Sequence, residues 1–377
     1  MASDTAPHVF PPGEILREEL EAREWSQTDL AEILGRPVKL VNEIIAGKRA
    51  ITPETARGLA DALGTSAELW MNLEAQYQLH RARPSDAAVS RRAKLFEVAP
   101  IKEMQRRRWI AETRDPQQLE QSLLDFFDAS NIDAIPALPC AAKKSTSYVE
   151  DATPAQRAWV RRVYTLAESI DAARFSEKAF GNALEKLKTL LRGRAATREV
   201  PRILAEGGVR FMVVEHLAGS KIDGVCLWLD AHRPVIALSL RYDRIDSFWF
   251  ALAHECAHVS RSDGLNTPIT IDVDLVGDGA VLTRDKPEAE READLFAESF
   301  LIPQHEMNGF IARVKPLYSK ENIRGFAARM QIHPGIVVGQ LAFRGQIGWS
   351  HSREMLEKVR DTVTDAALTD GWGHSVA

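Results

Sequence analysis

Residues 248–260 read FWFALAHECAHVS, and this segment constrains the chain more than any other. A run so rich in apolar residues belongs in an interior, and an interior admits ionisable groups only when they are paired, hydrogen-bonded or bound to a metal. On a helix, positions i and i+4 lie one turn apart on one face. His254 and His258 can therefore aim two imidazoles at a single ion. Glu255 sits beside them, able to reach a coordinated water without being a ligand. Zinc held in this way lowers the pKa of such a water to about 7 and supplies hydroxide at neutral pH. Two helix-face histidines with ordinary hydrogen-bond partners read the same from the pentapeptide alone, so the rest of the chain must supply the third ligand.

The segment EAEREADLFAESFLIP (288–303) offers one. Glu290 and Asp294 are again i and i+4. A catalytic zinc needs three protein ligands. Glu290 can complete the set, and Asp294 can accept a hydrogen bond from a ligand histidine. Ala293, Phe296, Ala297 and Phe300 stripe one side of this segment, which fits packing against the HECAH helix. The third histidine that some zinc peptidases place soon after the second is missing, since HVSRSDGLN (258–266) has none. A solvated acidic face is the alternative reading of Glu290 and Asp294.

The remaining chain sets the frame. With 377 residues, 45% of them hydrophobic, two or three domains are expected. A net charge of -5 excludes a globally basic nucleic-acid binder and leaves a local basic patch open. The cysteines, Cys140, Cys226 and Cys256, show no CxxC spacing and fit a reducing compartment. No secretory signal and no membrane-spanning run is read, so a cytoplasmic address and no membrane partner are expected. VRFMVVEHL (209–217), GVCLWLD (224–230) and PVIALSL (234–240) are short, β-rich and bounded by turn residues, which predicts three strands. Two long helices are expected over 244–260 and 287–301, joined by a loop rich in Gly and Asp. Residues 129–155, with Pro136, Pro139, Pro154 and a Lys-Lys-Ser-Thr-Ser run, read as a loop. The fold class is mainly α with a small β-sheet (α+β). The divisions are a helical module over 1–82, a helical connecting region over 83–204, the sheet and metal segment with C-terminal helices over 205–365, and a flexible tail over 366–377.

The first module has its own signature. A helix over Glu14–Arg23 is followed by SQTDLAEILG (26–35), a three-residue turn and VKLVNEIIAGK (38–48). Ser26 with Asp29 makes an N-cap with an acidic residue at N3. Gly35 ends that helix, and Pro37 suits the first turn of the next. Two short helices joined by a Gly-containing turn form a helix-turn-helix pattern, whose second helix enters the major groove. That nominates Lys39 and Asn42 for base edges. Gln27, Arg36, Lys48 and Arg49 are placed against phosphates. Glu14, Glu18, Glu19, Glu21 and Glu24 crowd the first helix, so a helical bundle for protein contacts is the alternative. Trp70, Leu73 and Tyr77 are read as core or dimer contacts.

These segments carry two resemblances. PPGEILREELEAREWSQTDLAEILG (11–35) and AGKRAITPETARGLADALGTSAELWMNLEAQYQL (46–79) resemble the HigA-type antitoxins of the XRE helix-turn-helix family, with RPVK (36–39) departing from the family's small-polar turn. Ile222-Asp223-Gly224, PVIALSL, FALAHECAHV and EREADLFAESFLIP resemble the ImmA/IrrE zinc metallopeptidases across roughly 205–305, departing at Cys256-Ala257, where that family often has a bulky residue and Gly. Cys256 is read as a small buried residue. EVAPIKEMQRRRWI (97–110) looks like that family's connecting segment and IHPGIVVGQLAFRG (332–345) like its C-terminal region.

The resemblances imply a zincin-like metallopeptidase domain holding Zn2+ through His254, His258 and Glu290. Glu255 serves as general base and Asp294 supports a ligand. The implied protein is a DNA-binding, antitoxin-like regulator that binds double-stranded operator DNA as a homodimer and cleaves a protein substrate or meets a toxin partner. The alternative is a repressor whose zinc domain is a non-proteolytic sensor or dimerisation module.

Overall fold

The computed structural model describes residues 9–82, 87–137, 140–144, 147–265, 269–277 and 286–374. It divides into two compact units, Met1–Val89 and Ser90–Ala377.

The first unit holds five helices: α1 (Pro12–Ala22), α2 (Gln27–Leu34), α3 (Val38–Ile45), α4 (Pro53–Leu63) and α5 (Ala67–Arg81). Their ends follow from local chemistry. The Ser26 hydroxyl accepts from the Asp29 amide while Asp29 accepts from the Ser26 amide, closing a capping box at the start of α2. Gly35 ends α2 at φ +61, a left-handed conformation that costs glycine nothing. Pro37 stands at the N-cap of α3 rather than within its first turn. Leu16, Leu30, Val41, Ile44, Leu59 and Trp70 form the core. Gly13 lets α1 press directly on α3, where a Cβ would come within 2.4 Å of the Ile44 carbonyl oxygen.

The second unit begins with helices α6 (Ala87–Val98), α7 (Ile101–Arg106), α8 (Pro116–Phe127), α9 (Pro154–Ala167), α10 (Glu177–Thr189) and α11 (Val200–Glu206), the division between the units falling within α6. Its strands are β1 (Cys140–Lys144), β2 (Ser147–Asp151), β3 (Arg210–Val214), β4 (Ile222–Trp228), β5 (Pro234–Leu238), β6 (Ile269–Val273) and β7 (Leu368–Asp370). They form one mixed sheet in the order β2-β1-β6-β4-β5-β3-β7. Helices α12 (Ile245–Arg261), α13 (Glu288–Leu301), α14 (Gln304–Val314), α15 (Lys320–Met330), α16 (Pro334–Phe343) and α17 (Arg360–Thr364) complete it.

The central strands β3, β4 and β5 are buried on both faces, which explains why they are largely apolar. Phe211, Val213, Cys226, Trp228, Ile236 and Leu238 join one core with α12, α13 and α16. The alternate positions Met212, Val214, Val225, Leu227, Val235 and Ala237 join a second core with α8 and α9.

The α+β class and the three expected strands stand, and the sheet is larger than expected. The described residues within 129–155 are not a loop: β1 and β2 pair antiparallel, and β1 pairs parallel with β6. CAAKK offers little β propensity of its own, and its neighbours SYVED and β6 impose the conformation. Residues 90–204 of the expected connecting region therefore belong to the same unit as 205–365. The expected tail is also corrected. β7 pairs parallel with β3, and the buried Asp370 pairs with Arg162 at 2.5 Å and accepts from the Trp109 indole. Residues 375–377 lie outside the described residues.

Candidate metal centre and nucleic-acid interface

Helices α12 and α13 pack side by side and bring the nominated residues together. His254 and His258 stand one turn apart on α12, with their Nε2 atoms 3.0 Å from each other. Glu290 on α13 reaches in, its Oε2 lying 3.1 Å from His254 Nε2 and 3.7 Å from His258 Nε2. An ion bonded at 2.0–2.1 Å to four tetrahedral donors keeps them about 3.4 Å apart. The observed separations bracket that value, so these residues fit a zinc-sized ion.

The outer nitrogens are also engaged. Asp294 Oδ1 lies 3.0 Å from His254 Nδ1, and Lys286 pairs with the same carboxylate at 2.8 Å. Asp263, just beyond the left-handed C-cap Ser262, lies 2.9 Å from His258 Nδ1. Asp263 hydrogen-bonds its imidazole, and Asp294 stands at ion-pair distance from the other; carboxylates so placed raise imidazole basicity.

Electrostatics point the same way. Burial opposes charge on His254, yet Asp272, Asp294 and Glu290 outweigh it and hold its pKa well above the ordinary value. Burial opposes charge on His258 too, and Asp263 and Glu290 raise it. Burial would raise Glu290, but its hydrogen bonds to both histidines hold it low. Carboxylates that favour imidazolium in a metal-free site favour a divalent cation in its place.

Glu255 is fully buried, and neither carboxylate oxygen has a hydrogen-bond partner. Burial, with Asp272 nearby, pushes its pKa well up. It fits only because position 224 is glycine: a Cβ there would stand 2.2 Å from Glu255 Oε1. Asp223 beside it receives a bidentate Arg241 at 2.9 Å and accepts from the Leu275 and Val276 amides, which ties down the exit of β6. Cys256 is buried, and burial followed by Glu255 pushes its thiol far up, so it is inert packing.

Two site residues escape sequence reasoning. Asp272 on β6 joins His254, His258 and Glu290 in a cluster whose donor atoms all lie within 4.8 Å of one another. Asp263 is the other. The signals were present as the alternation in ITIDV and the SDG turn after α12, but both stand in the stretch read as a loop.

In the first unit the nominated residues lie on the surface. Arg36, Lys39, Asn42, Lys48 and Arg49 are exposed and Gln27 is half-buried. Gln27 opens α2, while Lys39 and Asn42 stand in the first half of α3. Arg36 pairs with Glu54. Glu43 takes both Lys39 at 3.8 Å and Arg49 at 3.1 Å. Trp70 is core, its indole donating to Thr65 at 2.8 Å, while Leu73 and Tyr77 are half-buried. No helix among the described residues is long and apolar enough to cross a membrane.

Comparison with known proteins bears on this unit. Residues 16–70 match the helix-turn-helix family model. Virulence-associated protein I of Dichelobacter nodosus is 36% identical over 80 residues, which cover 21% of this chain and 74% of that protein. The uncharacterized HTH-type transcriptional regulator YddM of Escherichia coli (strain K12) is 31% identical over 71 residues, covering 19% of this chain and 76% of its own length. Among solved structures, an addiction module antidote protein of a HigA family from Coxiella burnetii is 42% identical, covering 19% of this chain and 78% of that chain with a TM-score of 0.18. The Pseudomonas aeruginosa antitoxin HigA, solved with the higBA promoter, is 32% identical, covering 25% and 99% with a TM-score of 0.19. By its N-terminal module, the chain belongs to the XRE family of helix-turn-helix regulators.

Proposed function

We propose that the chain is a DNA-binding, antitoxin-like transcriptional regulator whose second unit is an ImmA/IrrE-like, zinc-dependent metallo-endopeptidase that cleaves a regulatory protein partner. The observation that carries the reading is the convergence of His254, His258 and Glu290 beside a buried Glu255 whose carboxylate oxygens have no partner. Zinc bound there supplies Lewis acidity and a nucleophile at neutral pH. His254, His258 and Glu290 hold it, and Asp294 and Asp263 keep the two imidazoles turned inward. Glu255, with no donor fixed on its carboxylate and the Asp272 carboxylate beside it, can take a proton at Oε and hand it to the leaving amine. A pocket lined by Phe250, Leu275, Val276 and Phe343 opens one turn before His254 and suits an apolar side chain of the substrate.

The first unit addresses the chain to an operator. Lys39 and Asn42 on α3 meet base edges, Gln27, Arg36, Lys48 and Arg49 meet phosphates, and a homodimer covers two half-sites. Sequencing the DNA that co-purifies with the chain identifies the operator, and recovery of random fragments argues against sequence-specific reading.

The peptidase is tested by comparing new protein N-termini in cells expressing the wild type and Glu255→Gln. Termini that appear only with the wild type identify the substrate. If the two sets are the same, the mechanism is wrong and the zinc unit is a sensor or dimerisation body.

A further inference from the structure

The two histidines and Glu290 leave a tetrahedral ion one position short, and in a working zinc peptidase that position stays open for water. Here a fourth side chain stands at it. Asp272 lies on β6, directly opposite Gly224 of β4 in the antiparallel pair. Its neighbour Ile271 packs into the core on the far face of the sheet, so Asp272 points toward α12. Asp272 Oδ1 is 3.6 Å from His254 Nε2, and Oδ2 is 3.9 Å from His258 Nε2. The residue is 5% exposed, no fixed donor reaches Oδ2, and the buried Glu255 carboxyl stands close enough to share a proton with it. A buried carboxylate oxygen without a fixed donor is costly, and a cation held between the histidines would satisfy it.

Building on the metal site proposed above, we propose that Asp272 is the fourth protein ligand, closing the zinc site in the resting chain so that the peptidase is latent until this carboxylate leaves the ion. The sheet makes such a latch possible. β6 pairs regularly with β1, but its pairing with β4 is irregular between Ile222 and Gly224, beside Asp272, whereas His254, His258 and Glu290 stand on two long packed helices. The ligand on the strand can move while those on the helices stay. Because Asp223 anchors Leu275 and Val276, a partner that disturbs the exit of β6 also pulls on Asp272.

The test uses the full chain with Co2+ in place of zinc and sodium azide as the probe, a small anion that enters only an open coordination position. Wild-type visible spectra should be indifferent to azide, and Asp272→Ala spectra should respond to it. Zinc affinity, measured by competition with a chromophoric chelator, should fall roughly tenfold or more in Asp272→Ala. Asp272→Asn, which keeps the shape of the side chain, should also weaken zinc binding and guards against a folding defect. An azide response in the wild type equal to that of Asp272→Ala, or unchanged zinc affinity in both variants, overturns the proposal. His258→Ala separates the two readings. If it abolishes metal binding while the Asp272 variants do not change it, the metal site stands and only the latch fails. A wild-type chain that binds no zinc removes both.

Discussion

The residues nominated for function in the two units live under opposite conditions. On the first unit all but the half-buried Gln27 are exposed, and Arg36, Lys39 and Arg49 pair with Glu54 or Glu43 at the surface. In the second unit His254, Glu255, His258, Asp272, Glu290 and Asp294 are all buried. Exposed ion pairs contribute about 0–1 kcal/mol, so a phosphate can replace Glu43 or Glu54 at little cost. Buried charges cost several kcal/mol each unless compensated, so the second cluster cannot exchange partners casually and suits an ion that stays. One unit works by presenting its groups and the other by enclosing them. Disturbing the enclosed set should therefore have the larger consequences.

The sharpest break in that contrast is removal of the ion. Zinc present at 100 to 1,000 times its dissociation constant stabilises the unit that binds it by about 3–4 kcal/mol. Hydrogen exchange on the full chain should show α12 and α13 losing protection in chelator or in His258→Ala, while α1 to α5 keep theirs. Equal loss in both units, or loss in neither, breaks the comparison. Gly224→Ala comes next. Its methyl group collides with Glu255, and overpacking of this kind costs about 1–3 kcal/mol. A lowered midpoint with Glu255 displaced is expected, and unchanged thermal unfolding would show that the carboxylate has room to spare.

On the presented side the effects are smaller. Asn42→Ala should lose about 1–3 kcal/mol of discrimination at a single operator position, measured by binding to a panel of base substitutions. Lys48→Ala should weaken binding to every sequence alike and reduce the salt slope by about 1. The smallest effect is the most telling. Glu43→Gln frees Lys39 and Arg49, so operator affinity at low salt should rise by less than about 1 kcal/mol, and a fall would show that Glu43 orders the DNA-binding face.

What the sequence discloses follows from the range of each determinant. The α2–α3 pair is legible because the Ser26–Asp29 box and Gly35 act within a few residues. His254, His258, Glu290 and Asp294 are legible because one helical turn sets both pairs. Asp272 and Asp263 are not, since neither belongs to a helical repeat. Asp272 reaches the histidines only because β6 pairs with β4 and β1, strands far from it in the chain. The hairpin of β1 and β2 was hidden for the same reason, its pairing with β6 supplying what its composition lacks. Three of the four clustered residues were thus visible in the sequence, and the fourth, Asp272, was not.

The strand at Leu368–Asp370 adds a constraint in time. Arg162 and Trp109 wait for a carboxylate 208 and 261 residues downstream, so neither finds its buried partner until residue 370 has left the ribosome. The first unit needs nothing beyond its own five helices for its core. Each newly made chain therefore passes through an interval in which the DNA-reading module is folded and the sheet beside the metal residues is still unfinished.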